Sequence, residues 1–256
     1  MTMLRALTFD FWGTLYQNAS AQDGRLRLLE QALARHAQPR PWAALEAAYR
    51  HALGVWERIW REEHRSTTVE HWLREMLGFL DADLPDDVLA GLRLPVEEIY
   101  LHGGAPRPVS GVTKVLPRLS RRYRLGLISD VGLTPGRVLR ELLRRDGLLP
   151  YFRVLTFSDE TGAAKPRPEQ FLCTLDVLDA RPEEAAHIGD LPETDIVGAR
   201  GVGMKAILFL GVSHREDGLP LAHAAFEEYG ELEGLLEGLD EMAGDVPSLA
   251  GAGGDA

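Results

Sequence analysis

Five short apolar runs punctuate the chain: LRALTF (4–9), YRLGLIS (123–129), RVLTF (153–157), AAHI (185–188) and MKAILFL (204–210). Each has the length of a strand, and helix-like patterns separate most of them. Strands alternating with helices predict βαβ units and an α/β fold with a mainly parallel, doubly wound sheet of Rossmann-like type. Four of the five runs fall in the second half of the chain.

Between the first and second runs the period changes. Leu45, Tyr49, Ala52, Val55, Trp56, Ile59 and Trp60 recur at helical spacing, as do Trp72, Leu73, Met76, Leu77 and Leu80. This predicts a helical bundle inserted into the α/β frame, and four of the five Trp lie within it. The Gly- and Pro-rich stretch LHGGAPRPVSG marks the return as a hinge. The expected organisation is an α/β core of residues 1–15 and 106–245, an inserted helical domain of residues 16–105, and a disordered tail of residues 246–256.

Composition narrows the function. The 39 acidic against 28 basic residues give a net charge of −11, which disfavours nucleic acid or an anionic membrane as partner. The Arg clusters at Arg118–Arg124 and Arg137–Arg145 fall on helix-like patterns and read as solvated faces. No apolar run approaches the ~18 residues of a membrane helix. A first strand beginning by Leu4 leaves no room for a leader, so the expected location is cytoplasmic. The expected state is a monomer or homodimer. The single Cys173 excludes an internal disulfide, and its helical pattern places it in the core.

In a doubly wound sheet, ligands bind at the carboxyl ends of the strands. Asp10, Ser129 with Asp130, and Gly189 with Asp190 follow the first, second and fourth runs, and Lys165 lies in the region after the third. Alone, each has an ordinary reading as a turn residue, helix cap or surface lysine. Together they bring distant segments to one edge. Only three of the basic residues are Lys, so a Lys at position 165 indicates that Arg was not acceptable there.

FDFWGTL, LISD, GAAKPRPEQF and HIGDLPETDIVGARGVGM occur in the order of the four motifs of the haloacid dehalogenase superfamily, which the chain resembles over nearly its whole length. The helical insert is similar to that superfamily's smaller cap type. The resemblance implies a hydrolase of the phosphatase-like branch that acts on a small phosphorylated molecule. Its carboxylate nucleophile would be Asp10, forming an aspartyl phosphate. Asp190 and Asp195 are hard ligands suited to Mg2+, and the backbone carbonyl of Trp12 is implied as a further ligand beside Asp10. Lys165 is a point charge between Asp10 and a phosphoryl oxygen, and Ser129 offers its hydroxyl to another. Gly13 and Thr14 turn the backbone over the phosphate, and Asp130 lies beside it.

Two positions depart from the family's phosphatases. Where they usually carry a second Asp as general acid, this chain has Trp12, whose indole donates but does not titrate. Loss of such an acid costs roughly 10²–10⁴ in rate. An aromatic residue here also resembles the 2-haloacid dehalogenases, in which Asp attacks carbon and no metal is needed. Asp10, Asp190 and Asp195 crowded together would repel one another without a cation, which favours phosphoryl chemistry. A chain that binds a phospholigand without turnover is the third possibility. The second departure is Asp130, where many relatives have Asn. It is a candidate acid/base, with a helix cap as its plainer role.

Overall fold

The computed structural model describes residues 3–244, and its strands are β1 (Ala6–Phe9), β2 (Arg124–Ser129), β3 (Phe152–Phe157), β4 (Ala185–Gly189), β5 (Lys205–Phe209) and β6 (Ala224–Phe226). They form one sheet in the order β3-β2-β1-β4-β5-β6, parallel throughout. The five expected strands are present to within two residues at each end. The sixth, AAF, is too short and too weakly patterned to stand out in sequence. The expected tail, residues 246–256, lies outside the described residues.

Alternation along each strand divides the apolar side chains between two layers. Leu7, Phe9, Leu125, Leu127, Ile188, Ile207 and Phe209 pack on one face, against α6 (Val112–Leu119), α7 (Gly136–Arg145) and α11 (Leu232–Gly244). Ala6, Ile128, Ala185, Ala206 and Leu208 pack on the other, against α9 (Pro168–Val177) and α10 (Val197–Gly201). Helices on both faces explain why the strands read as near-continuous apolar runs. Cys173 departs from its expected core position and is exposed. Helix α9 buries Phe171, Thr174 and Leu175, and Cys173 lies off that stripe. The Arg clusters lie on the surface, paired for example as Arg118–Glu233 and Arg137–Glu97.

The insert consists of α1 (Gln22–Arg35), α2 (Trp42–Arg58), α3 (Val69–Phe79), α4 (Asp86–Glu97) and the short α5 (Ile99–His102). Leu26, Leu29, Leu33, Leu45, Tyr49, Trp72, Leu73, Met76 and Leu89 form an apolar core of its own. Among the described residues, only Leu133, from the loop after β2, joins this cluster from the sheet domain. The insert is thus a helical cap placed above the carboxyl edge of the sheet. The chain leaves β1 toward β2 and β3 on one side, and builds β4, β5 and β6 on the other. The winding direction reverses between β1 and β4, where a doubly wound sheet opens its crevice.

Candidate active site

Strands β1 and β4 are neighbours, with Phe9 in register with Ile188, so the residues that follow each strand meet. Asp10 is anchored by its N–H to the Ile188 carbonyl (2.9 Å). Asp10, Asp190 and Asp195 are all buried, and each offers a carboxylate oxygen within 4.8 Å of the others. Two glycines permit this crowding. A Cβ on Gly13 would lie 2.2 Å from Asp190 Oδ2, and one on Gly189 would lie 2.2 Å from Asp195 Cγ. Gly13 also adopts φ +66°, a conformation that favours glycine.

Lys165 reaches into the cluster from the loop before α9. Its buried Nζ donates to Asp10 Oδ1 (2.6 Å), Asp195 Oδ1 (2.7 Å) and the Ile128 carbonyl (3.1 Å). Burial alone would depress the ammonium, but the charges of Asp10, Asp195 and Asp130 hold it above its ordinary range. Asp195 also accepts from His187 Nε2 (3.0 Å), and its Oδ2 accepts from the Leu191 N–H (3.0 Å). Burial works to raise its carboxyl, yet Lys165 and the His187 hydrogen bond bring it well below the usual range.

Burial and the neighbouring charges of Asp195 and Asp190 raise Asp10 well above an ordinary carboxyl, with Lys165 opposing them. Asp190, buried beside Asp195, is pushed up to about 7. Its Oδ2 accepts from the Ser213 hydroxyl, while its buried Oδ1 has no hydrogen-bond partner among the described residues.

His187 is buried at the middle of β4. Thr8 Oγ1 lies 2.8 Å from its Nδ1, on the adjacent strand. Because Asp195 only accepts, Nε2 carries the proton and Nδ1 accepts from Thr8. Burial lowers the His187 pKa, against the Asp195 hydrogen bond and charge, which raise it. The chain Thr8–His187–Asp195–Lys165–Asp10 therefore runs under the cluster and fixes it. From sequence, His187 has only a packing role and Thr8 none, although their strand positions beside Asp10 were available.

Of three further expected phosphate contacts, Asp130 lines the cleft, whereas Ser129 and Thr14 do not. The Ser129 hydroxyl is fully buried, donates to the Asp130 carbonyl (3.3 Å), and does not line the cleft. Thr14 is buried with its Oγ1 unpartnered, and its carbonyl accepts from Tyr229 Oη (3.0 Å). Asp130 is not a helix cap. Its Oδ1 accepts from the Lys165 N–H (3.0 Å) and Gln170 Nε2 (2.9 Å), and its Oδ2 accepts from Trp60 Nε1 (2.9 Å) of the cap. It thus joins the lysine loop to the cap.

Above the cluster lies a cleft of about 330 Å³ between sheet and cap. Trp12, Trp56, Trp60 and Tyr100 give it aromatic walls, with Asp10, Lys165, Asp190 and Asp195 at its floor. Trp56 and Trp60 stack at 5.4 Å and 9°, and Trp12 lies 6.0 Å from the Tyr100 ring. Trp56 on α2 and Trp60 on the helical turn Ile59–Glu63 that continues it share an apolar stripe that reads as bundle core in sequence; in the structure they face the cleft. Ser213, just after β5, was also missed, although its place beyond a strand's carboxyl end is the signal that marked Asp10. His64, near the cap's contact with the lysine loop, accepts the Ala164 N–H on its carbonyl (2.7 Å), whereas His71 lies exposed beside Glu75.

The chain is similar to several known proteins. The glyceraldehyde 3-phosphate phosphatase of Pyrococcus furiosus is 34% identical over 150 residues, 57% of this chain and 60% of that one. The chain spans about half the length of the curated relatives it matches. A 2-haloacid dehalogenase from Pseudomonas syringae pv. Tomato DC3000 superposes with a TM-score of 0.69 at 28% identity, over 93% of this chain and 100% of that one. The HAD phosphatase from Thermococcus onnurineus gives a TM-score of 0.61 at 25% identity, over 92% and 99%. Residues 4–203, which carry the crowded carboxylates and their lysine, match the haloacid dehalogenase-like hydrolases, and the chain belongs to that family.

Proposed function

We propose that the chain is a Mg2+-dependent phosphomonoester hydrolase that works through an aspartyl phosphate on Asp10. The observation that carries this reading is the unbalanced charge of the cluster. Three buried carboxylates face one lysine, and Asp190 Oδ1 is buried without a partner among the described residues. An orphaned carboxylate oxygen in such a place fits a hard cation. Asp10, Asp190 and Asp195 would hold it, with the Trp12 carbonyl as a further ligand. When bound, Mg2+ would neutralise enough charge for a phosphate dianion to approach a carboxylate.

Asp10 Oδ1 is held by Lys165, which leaves Oδ2 to attack phosphorus. The Asp10–phosphorus bond forms as the ester oxygen leaves with its electron pair. Water then displaces Asp10 and releases phosphate. Gly13 and Thr14 would carry the loop past the phosphate, and Lys165 would bridge nucleophile and phosphoryl oxygen.

Trp12 lines the cleft but supplies no titratable proton to the leaving group. Asp130 is the remaining carboxyl group among the lining residues, yet both its oxygens already accept N–H donors. Leaving groups that depart as stable anions, such as aryl or acyl phosphates, suit this site best.

The second reading is C–halogen hydrolysis, favoured by the dehalogenase superposition and the aromatic residue at position 12. That chemistry needs no cation and leaves the repulsion among the carboxylates without purpose. A metal-supplemented phosphatase panel run beside halide release from 2-chloropropionate separates the two. Phosphate release that EDTA abolishes is expected. Halide release that persists in EDTA would replace the phosphatase reading. Mg2+-linked binding of phosphate analogues with no turnover would leave only a phospholigand-binding protein.

A further inference from the structure

Two long basic side chains are buried among the described residues, Lys165 and Arg25. Lys165 has two carboxylates within 2.7 Å. Arg25 has none within ion-pair distance among the described residues. Its Nε donates to the Val96 carbonyl (3.3 Å) and its Nη2 to Thr134 Oγ1 (2.9 Å), both neutral acceptors. Nη1 makes no hydrogen bond among the described residues. The guanidinium lies over the Tyr100 ring at 5.6 Å, and only 6% of the residue is exposed.

A buried charge without a counter-ion is costly, and proteins normally pair it. This one occurs in a chain with an excess of acidic residues, and it lines the same cleft as Asp10 and Lys165. Its two bonds hold the planar group in one orientation, with the remaining donors available to a ligand. Guanidinium presents paired N–H groups that match a carboxylate or phosphate. The surrounding aromatic side chains and Leu133 give the contact apolar neighbours, which strengthens it.

We infer that Arg25 is a specificity residue that binds a second anionic group on the substrate's leaving portion, so that the preferred substrates are phosphate esters of acids or bisphosphates. The inference rests on the phosphatase reading for the reaction, but not for the binding. Asp10 and Lys165 would take the transferred phosphoryl group at the floor, while Arg25 holds the other end from the cap side. Asn18, also on the lining, is a neutral polar neighbour for the same group.

The test compares phenyl phosphate with 4-carboxyphenyl phosphate and with hydroquinone bisphosphate. In the wild type, kcat/KM for at least one doubly anionic substrate should exceed that for phenyl phosphate by about tenfold or more, the worth of one charge-assisted contact. Which of the two gains identifies carboxylate or phosphate as the second group. Arg25→Gln should bring the ratio close to one, and Arg25→Lys, which keeps the charge without the fork, should give an intermediate value. A wild-type ratio near one, or a ratio unchanged in the variants, would overturn the inference.

Benzoate and benzamide, followed by tryptophan fluorescence and thermal shift, provide an arm independent of turnover. Benzoate should bind the wild type, benzamide should not, and benzoate binding should weaken about tenfold or more in Arg25→Gln. If no substrate releases phosphate but benzoate behaves in this way, the phosphatase reading fails and the Arg25 site stands. If phosphate is released and benzoate binds equally to wild type and variant, the Arg25 site fails alone. Should Arg25→Gln not fold, the wild-type ratios and Arg25→Lys still decide.

Discussion

At the scale of single residues, Trp12 and Asp190 carry the main consequences. Trp12 packs edge-on to Phe11 at 5.0 Å and forms one wall of the cleft. If its only chemical effect is the missing acid, Trp12→Asp should raise turnover of alkyl phosphates, by up to ~10²-fold, and change aryl phosphates far less. An unchanged ratio of alkyl to aryl rates would assign Trp12 to shaping the cleft instead. Asp190 titrates at about 7, chiefly because it is buried and faces Asp195. An unfolded Asp titrates near about 3.9. Between these values the folded chain retains a proton that the unfolded chain has lost. The cation-free protein therefore gains stability from this group as pH falls through about 7 and loses that gain above it. On the proposed reading, Mg2+ would displace the same proton. The rise in Tm on adding Mg2+ should thus grow from about pH 5.5 to about pH 7.5, following the ionisation of Asp190. A shift independent of pH would contradict this role for Asp190.

At the scale of elements, two turns meet at one point. The turn after β1 places Gly13 against Asp190, and the end of β4 places Gly189 against Asp195. In Gly13→Ala the new Cβ would overlap Asp190 Oδ2, at a φ that an L-residue adopts only with strain. Its expected effects are a loss of about 1–3 kcal/mol of stability and disappearance of the Mg2+-induced Tm shift. Calorimetry with and without Mg2+ checks both, and a variant retaining the full shift would show that the two turns are not coupled. Much of this was legible in sequence, because a short apolar run followed by Asp-x-x-Gly or Gly-Asp fixes where a strand ends and what it presents. The cap side was not legible. Trp56 and Trp60 continue the apolar period of α2, and only the packing of neighbouring helices determines which part of that stripe faces the cleft. Arg25 reads as one of many arginines until its burial is known. The hydroxyl of Ser129 also turned on local geometry, since its position after β2 is compatible with pointing up to the cleft or back to the Asp130 carbonyl.

At the scale of the whole molecule, the fold separates labour. The parallel sheet brings Asp10, Lys165 and the Asp190/Asp195 pair together at the β1/β4 crevice, and the cap closes a cleft over them through Trp60–Asp130, Arg25–Thr134 and Ser66–Val131 contacts. The sheet was predictable because its strands are short, buried and regularly spaced. The third strand pair on the β5 side was not, since β6 contributes only three residues. The described residues include no helix long and apolar enough to cross a membrane. The account's central claim is that Asp10 attacks phosphorus in a cation-dependent site. It is tested most directly by phosphate release from p-nitrophenyl phosphate with Mg2+ and with EDTA, for the wild type and for Asp10→Asn. The account predicts turnover by the wild type in Mg2+ only, and loss to background in Asp10→Asn while the variant remains folded. Equal rates for the two proteins, or wild-type turnover that EDTA leaves intact, would contradict it.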